Sequence, residues 1–261
     1  MITVVFTCNR RPALTELCLR RLVELMPHPY ELFICYDGDN PRYERMLREV
    51  APEAIVMVNL QGVNRFALIN TALENSIGDL FMHVESDFYW VDPSCLDAAL
   101  NAFHKYHDLD YIRYEQLPFT WKSFYQYKQV DGKDICWMRD ESPYRFTFNP
   151  SIRTFKYPTD NPFPSDPYEW ESRNMHDEAY MNDGYKYQSA CMTGDNWRHL
   201  GIYSEGGHYK EFYGERFFNK RGKVASHEDE YLTEFMRITR NQEYVDLFKR
   251  YLNDNRNKRG T

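Results

Sequence analysis

Glu85 and Asp87 stand one residue apart, with Ser86 between them, at the end of the short apolar run Leu80-Phe81-Met82-His83-Val84. Two carboxylates at that spacing offer hard oxygen ligands to one divalent cation, and a cation held there could neutralise a phosphate. In open α/β sheets, ligands collect outside the carboxyl ends of the strands, which is where this pair would lie. An isolated Glu-x-Asp is equally the signature of a solvated turn after a buried strand. The chain before it decides between the two. A second cluster of oxygens, Asp37-Gly38-Asp39-Asn40, follows another apolar run and offers further ligands and hydrogen-bond acceptors.

The elements that must position these groups alternate strand and helix, the pattern of a parallel sheet covered by helices. Ile2 to Thr7 is largely β-branched, as a strand buried on both faces should be. Pro12 opens a helix with an apolar stripe of Leu14, Leu17, Cys18, Leu22 and Leu25. Tyr30 to Tyr36 is a second strand ending at Asp37, followed by a helix from Pro41 to Val50 and a third strand from Ala54 to Asn59. Phe66, Ile69, Asn70, Leu73 and Ile77 mark one face of a further helix, with Asn70 its polar member. Asn70 either satisfies local backbone groups or shapes the site. Leu80 to Val84 is the fourth strand.

The bulk properties narrow the class. A chain of 261 residues can form one large domain with a substantial core. A net charge of −7 disfavours a broad nucleic-acid footprint, which needs clustered Lys and Arg. The 21 Tyr and 17 Phe fill a core or line a sugar-binding or protein-contact surface. Six cysteines are scattered without Cys-x-x-Cys spacing, several in apolar runs, and read as buried thiols in a reducing compartment. No signal peptide or membrane-spanning run is evident, so a cytoplasmic protein, or one peripheral to a membrane, is expected.

Thr7-x-Asn9-Arg10 after the first strand, Asp37-Gly38 after the second, Gly62 and Asn70 before the fourth, and Glu85-Ser86-Asp87 after it resemble the nucleotide-sugar half of GT-A glycosyltransferases, most closely the family-2 group. The likeness is good over residues 1–100 and looser over 145–205. It implies an α/β fold with a central, mostly parallel sheet flanked by helices. Residues 1–100 would be the nucleotide-sugar-binding half, and 101–261 the acceptor-binding and catalytic half with a helical C-terminal extension. It further implies Mn2+ or Mg2+ held against the diphosphate of a sugar nucleotide. The family carries Asp-x-Asp where this chain has Glu85, so Asp87 is the expected metal ligand and Glu85 would reach through water. Thr7, Asn9, Arg10 and Asp37 would surround the nucleoside, with Ser86 and Asn70 beside the donor. A carboxylate at Asp37 accepts a ring N–H, as uracil, thymine and guanine offer, so a UDP-sugar is the leading donor.

The same resemblance organises the second half. Phe148-Asn149-Pro150-Ser151 and an aromatic, Pro-rich loop precede a helix-like segment from Trp170 to Asp183, then a strand from Tyr185 to Met192 and Arg198-His199-Leu200-Gly201. An acidic residue at the helix entry would be the base and His199 a metal ligand; His208 and His227 are rivals. Glu171 is the chosen base, with Asp177 in reserve and Glu169 and Glu178 nearby; all four also suit a solvated first turn complementing the helix dipole. An inverting transfer is expected and a retaining one stays open. The acceptor is a glycan, a lipid-linked sugar or a protein, with a modified DNA base disfavoured by the charge. Two other readings remain: an inactive nucleotide- or sugar-binding module, suggested by Glu85, and a sugar nucleotidyltransferase, opposed by the absence of glycine from Thr7 to Pro12. Tyr106 to Asp140 reads as aromatic strands and loops walling an acceptor cleft. Tyr244, Val245, Phe248, Tyr251 and Leu252 form a C-terminal stripe suited to docking on the domain, or to a homodimer or membrane contact.

Overall fold

The computed structural model describes residues 1–9, 11–26, 29–59, 65–115, 124–138, 150–154, 188–200 and 228–259. Its centre is a nine-stranded sheet built from β1 (Ile2–Asn9), β2 (Tyr30–Asp37), β3 (Ile55–Val58), β4 (Leu80–Glu85), β6 (Leu109–Glu115), β7 (Phe124–Val130), β8 (Lys133–Met138), β9 (Ser151–Thr154) and β10 (Gln188–Thr193). The spatial order is β3-β2-β1-β4-β9-β6-β10-β8-β7. The first four strands are mutually parallel. Only β9 and β8 run against their neighbours, so seven of the nine strands share one direction. The mostly parallel sheet expected from the sequence is therefore present.

Helices α1 (Pro12–Leu25), α2 (Pro41–Val50), α3 (Arg65–Glu74) and α4 (Ser94–Lys105) alternate with these strands in the chain. Side-chain alternation explains the continuous apolar run of β1. Val4 and Phe6 join Leu14, Leu17 and Leu22 of α1 in the larger core. Val5 points the other way, into a cluster with Phe33, Cys35 and Phe81 under Phe66, Ile69 and Ala72 of α3. Burying each such aliphatic side chain is worth about 1.5–3 kcal/mol, which is what fixes the strand between its two helical layers. Local signals set the helix starts: Pro12 begins α1, and the Asn40 side chain accepts from the backbone N–H groups of Arg42 (3.0 Å) and Tyr43 (3.4 Å) to cap α2.

One sequence expectation fails here. Ile77 continues the apolar spacing of α3, yet the helix ends at Glu74 and Ile77 is 77% exposed. The backbone N–H groups of Ile77 and Gly78 instead donate to Glu31 Oε1 at 2.7 and 3.0 Å, which also takes the Thr3 hydroxyl. This turn brings Gly78 against β1 so closely that a Cβ there would collide with Thr3, and it swings Ile77 into solvent.

A second, two-stranded sheet pairs β5 (Phe88–Trp90) antiparallel with β11 (Trp197–His199). Behind it lie α5 (Glu228–Ile238) and α6 (Gln242–Arg259). Tyr244, Val245, Phe248, Tyr251 and Leu252 are all buried, and the Tyr244 hydroxyl donates to Glu24 of α1 at 2.7 Å. The C-terminal stripe thus docks on its own domain. Among the described residues no helix is long and apolar enough to cross a membrane.

Candidate functional site

The carboxyl ends of β1, β2 and β4 form one edge, and the register places the expected residues along it. Asn9 pairs with Asp37, and Thr7 pairs with both Cys35 and Glu85. The backbone N–H of Ser86 donates to the carbonyl of Thr7 at 2.9 Å, fastening the turn after β4 to β1. Asp37 Oδ1 accepts from Asn59 Nδ2 at 2.9 Å, which fixes the carboxylate at the strand end. The Thr7 hydroxyl lies 3.3 Å from His83 Nε2, both buried.

Asp87 occupies the turn between β4 and β5, and β11 delivers its partner. His199 registers opposite Phe88, and the next backbone N–H, of Leu200, donates to the Asp87 carbonyl at 2.7 Å. That clamp sets His199 Nε2 3.1 Å from Asp87 Oδ2, with the imidazole stacked on Phe88 at 4.5 Å between ring centres. Arg11, immediately before α1, donates from Nη1 to the same Oδ2 at 2.8 Å. All three side chains are largely shielded, at 20% exposure for Arg11, 16% for Asp87 and 5% for His199. Burial pushes the Asp87 carboxyl up, but His199 and Arg11 outweigh it and hold the group well below the ordinary carboxylate range.

Whether this group suits a divalent ion can be judged from its donor atoms. A carboxylate oxygen and an imidazole nitrogen on neighbouring vertices of one ion, each about 2.1 Å from it, lie about 3 Å apart. The 3.1 Å between Oδ2 and Nε2 matches that edge. The mixed oxygen and nitrogen pair fits Mn2+ better than Mg2+, which prefers oxygen alone. Among the described residues no cluster of three or more His, Cys, Asp or Glu surrounds such a position, so Asp87 and His199 would make a two-ligand site completed by phosphate oxygens and water.

Thr7, Asn9, Asp37, Glu85, Ser86, Asp87 and His199 thus all lie on the ends of the strands and the turn that meet here. Asn70 is half-buried on α3, the helix covering the opposite layer from α1. Arg10, Gly62, Glu169, Glu171, Asp177, Glu178, His208 and His227 lie outside the described residues. Three participants escaped the sequence reading: Arg11, Asn59 and Phe88. The doubled Arg10-Arg11 before Pro12 marks a cation at that strand end without naming its partner, which only the fold supplies.

A parallel half-sheet with an acidic turn at its carboxyl edge, extended by mixed strands, is the architecture of the GT-A glycosyltransferase fold. The model of "Glycosyl transferase family 2" matches residues 3–178, most of the chain, and the chain belongs to that family. Among solved structures, S. aureus TarS superposes with a TM-score of 0.57 at 12% identity, covering 97% of this chain and 53% of TarS, so the chain spans about half the length of that relative. TarS 1-349 in complex with UDP gives a TM-score of 0.51 at 16% identity, over 75% of this chain and 58% of that one. Glucosyl-3-phosphoglycerate synthase from Mycobacterium tuberculosis, in complex with Mn2+, UDP-glucose and glycerol 3-phosphate, gives 0.52 at 11% identity, over 76% and 72%. At such identities the likeness is one of fold. No curated protein matches the chain.

Proposed function

We propose that the protein is a metal-dependent glycosyltransferase that moves a sugar from a nucleoside diphosphate, uridine being the nucleoside, to an acceptor hydroxyl with inversion. The observation that carries this reading is the carboxylate of Asp87, held within 3.1 Å of the His199 imidazole at the carboxyl edge of a parallel sheet. Residues 1–100 form the donor half and 101–261 the acceptor half. The acceptor is a glycan, a lipid-linked sugar or a protein. Six buried cysteines scattered without paired spacing favour a reducing, cytoplasmic setting.

Each expected residue has a role in this reading. Asp37, pinned by Asn59, accepts the N3–H of uracil, while Thr7, Asn9 and Arg10 surround the base and ribose. Ser86 and Glu85 lie beside the diphosphate, and Asn70 supports the donor side from α3. Mn2+ bound by Asp87 and His199, with Glu85 through water, would supply Lewis-acid stabilisation of charge on the departing diphosphate. Glu171 removes the acceptor proton as the acceptor oxygen bonds to the anomeric carbon and the bond to the diphosphate breaks, with Asp177 its reserve. Positioned proton removal of this kind contributes on the order of 10²–10⁴-fold in rate. The UDP complex of TarS and the Mn2+ and UDP-glucose complex of the mycobacterial synthase support the nucleotide and the ion by likeness of fold.

The experiment is a panel of sugar nucleotides with and without Mn2+, read by thermal shift and by release of nucleoside diphosphate. Stabilisation by UDP-sugars that requires Mn2+ is expected. Stabilisation by adenosine or cytidine nucleotides alone would overturn the role given to Asp37.

A further inference from the structure

Resting on that reading of the Asp87 site, we infer that Arg11 is the resident counter-ion of the metal position and sets how tightly the nucleotide-free protein binds the ion. Oδ2 of Asp87 is approached by both Arg11 Nη1 and His199 Nε2, at 2.8 and 3.1 Å. A carboxylate so shielded from water needs a cation to stay ionised. Arg11 provides one permanently, because a guanidinium does not lose its proton. Pro12 at the first position of α1 restricts the backbone beside Arg11, and the carbonyl of Arg11 accepts from the Thr15 N–H at 2.9 Å, so the side chain starts from a fixed helix entry.

A divalent ion between Asp87 and His199 would meet this guanidinium on the very oxygen it binds. Two consequences follow. The metal-free site is pre-formed, because Arg11 keeps Asp87 charged and aimed at His199. The same positive charge then opposes the incoming ion until an anion arrives to offset it. A nucleoside diphosphate, bearing two or three negative charges, is such an anion. Arg11 thereby makes metal binding conditional on donor, a positioning role exerted through Asp87.

The test is titration of Mn2+ into nucleotide-free protein, followed by the electron paramagnetic resonance signal of the free ion and by thermal shift in EDTA. Arg11→Gln keeps a neutral donor near Oδ2 and removes the charge; Arg11→Lys keeps the charge. Loss of a unit charge a few ångströms from a divalent ion in a shielded site should tighten Mn2+ binding by at least about tenfold in Arg11→Gln. Its thermal stability in EDTA should fall, and Mn2+ should restore more of it than in wild type. Arg11→Lys should stay near wild type in Mn2+ affinity. Adding UDP should narrow the gap between wild type and Arg11→Gln. Mn2+ binding by wild type that Arg11→Gln leaves unchanged or weakens would overturn the inference alone, as would equal tightening in Arg11→Lys. Absence of Mn2+ binding in all three proteins, with and without UDP, would overturn the metal reading and this inference with it.

Discussion

Asp87 Oδ2 meets both Arg11 and His199, so the residue proposed as a metal ligand is also part of the frame. Its carboxyl is depressed in the folded protein, against an unfolded value of about 3.9. A depressed carboxyl contributes stability that is complete above the unfolded value and is lost as pH falls through the folded one. Asp87→Asn strips Arg11 of its counter-charge and should cost about 3 kcal/mol near neutrality, the order expected for breaking a buried pair. Urea unfolding from pH 7 to pH 2 should show that deficit shrinking below about pH 4, where the Asp87 carboxyl of the unfolded chain takes up its proton while the folded one stays ionised; a deficit constant with pH would contradict it. If Glu171 is the base, Glu171→Gln should abolish transfer while UDP-sugar affinity changes little, whereas His199→Ala should weaken Mn2+ and donor together. If Glu171→Gln transfers at the wild-type rate and Asp177→Asn is dead, the base lies further along that segment. Asp87 and His199 were legible through the family resemblance. Arg11 was not, because its partner lies 76 residues away and only the folded turn joins them.

The elements that hold Asp87 and His199 are β5 and β11, two short strands that could not stand alone. Their support is aromatic: Trp90 stacks on Trp197 at 5.0 Å, and Tyr89 meets Phe235 of α5 edge-on at 5.0 Å and Tyr244 of α6 at 6.2 Å. The C-terminal helices therefore buttress the strand that follows the acidic turn. Phe235→Ala should cost about 3–5 kcal/mol and lower UDP affinity with it, measurable by denaturant unfolding and calorimetry. Unchanged UDP affinity in a protein destabilised by that amount would separate the helices from the site. The strand and helix order of the first hundred residues was readable from periodicity. The end of α3 was not, since Ile77 keeps helical spacing while Glu31, distant in sequence, captures the backbone of the turn. The β7–β8 hairpin left a plain signal in Asp131-Gly132, with φ of 50° and 74°, which the aromatic character of Tyr106 to Asp140 obscured.

Across the whole molecule, all six cysteines are buried: Cys8, Cys18 and Cys95 in the larger core, Cys35 in the layer under α3, and Cys136 and Cys191 together in a small cluster of their own. Burial pushes the Cys35 and Cys95 thiols up to about 12 and raises those of Cys8 and Cys18 as well. A thiol-specific reagent should therefore label none of the six in the native protein at pH 8 and all six in denaturant, and rapid native labelling would mean that the core opens readily. The dependence of donor binding on one carboxylate and one ion can be read by isothermal titration of UDP in Mn2+ and in EDTA. Wild type should bind UDP at least about tenfold more weakly in EDTA, and a natively folded Asp87→Asn should bind with the weaker affinity in both. Equal affinity in Mn2+ and EDTA for the wild type, or full Mn2+ dependence in Asp87→Asn, would contradict it.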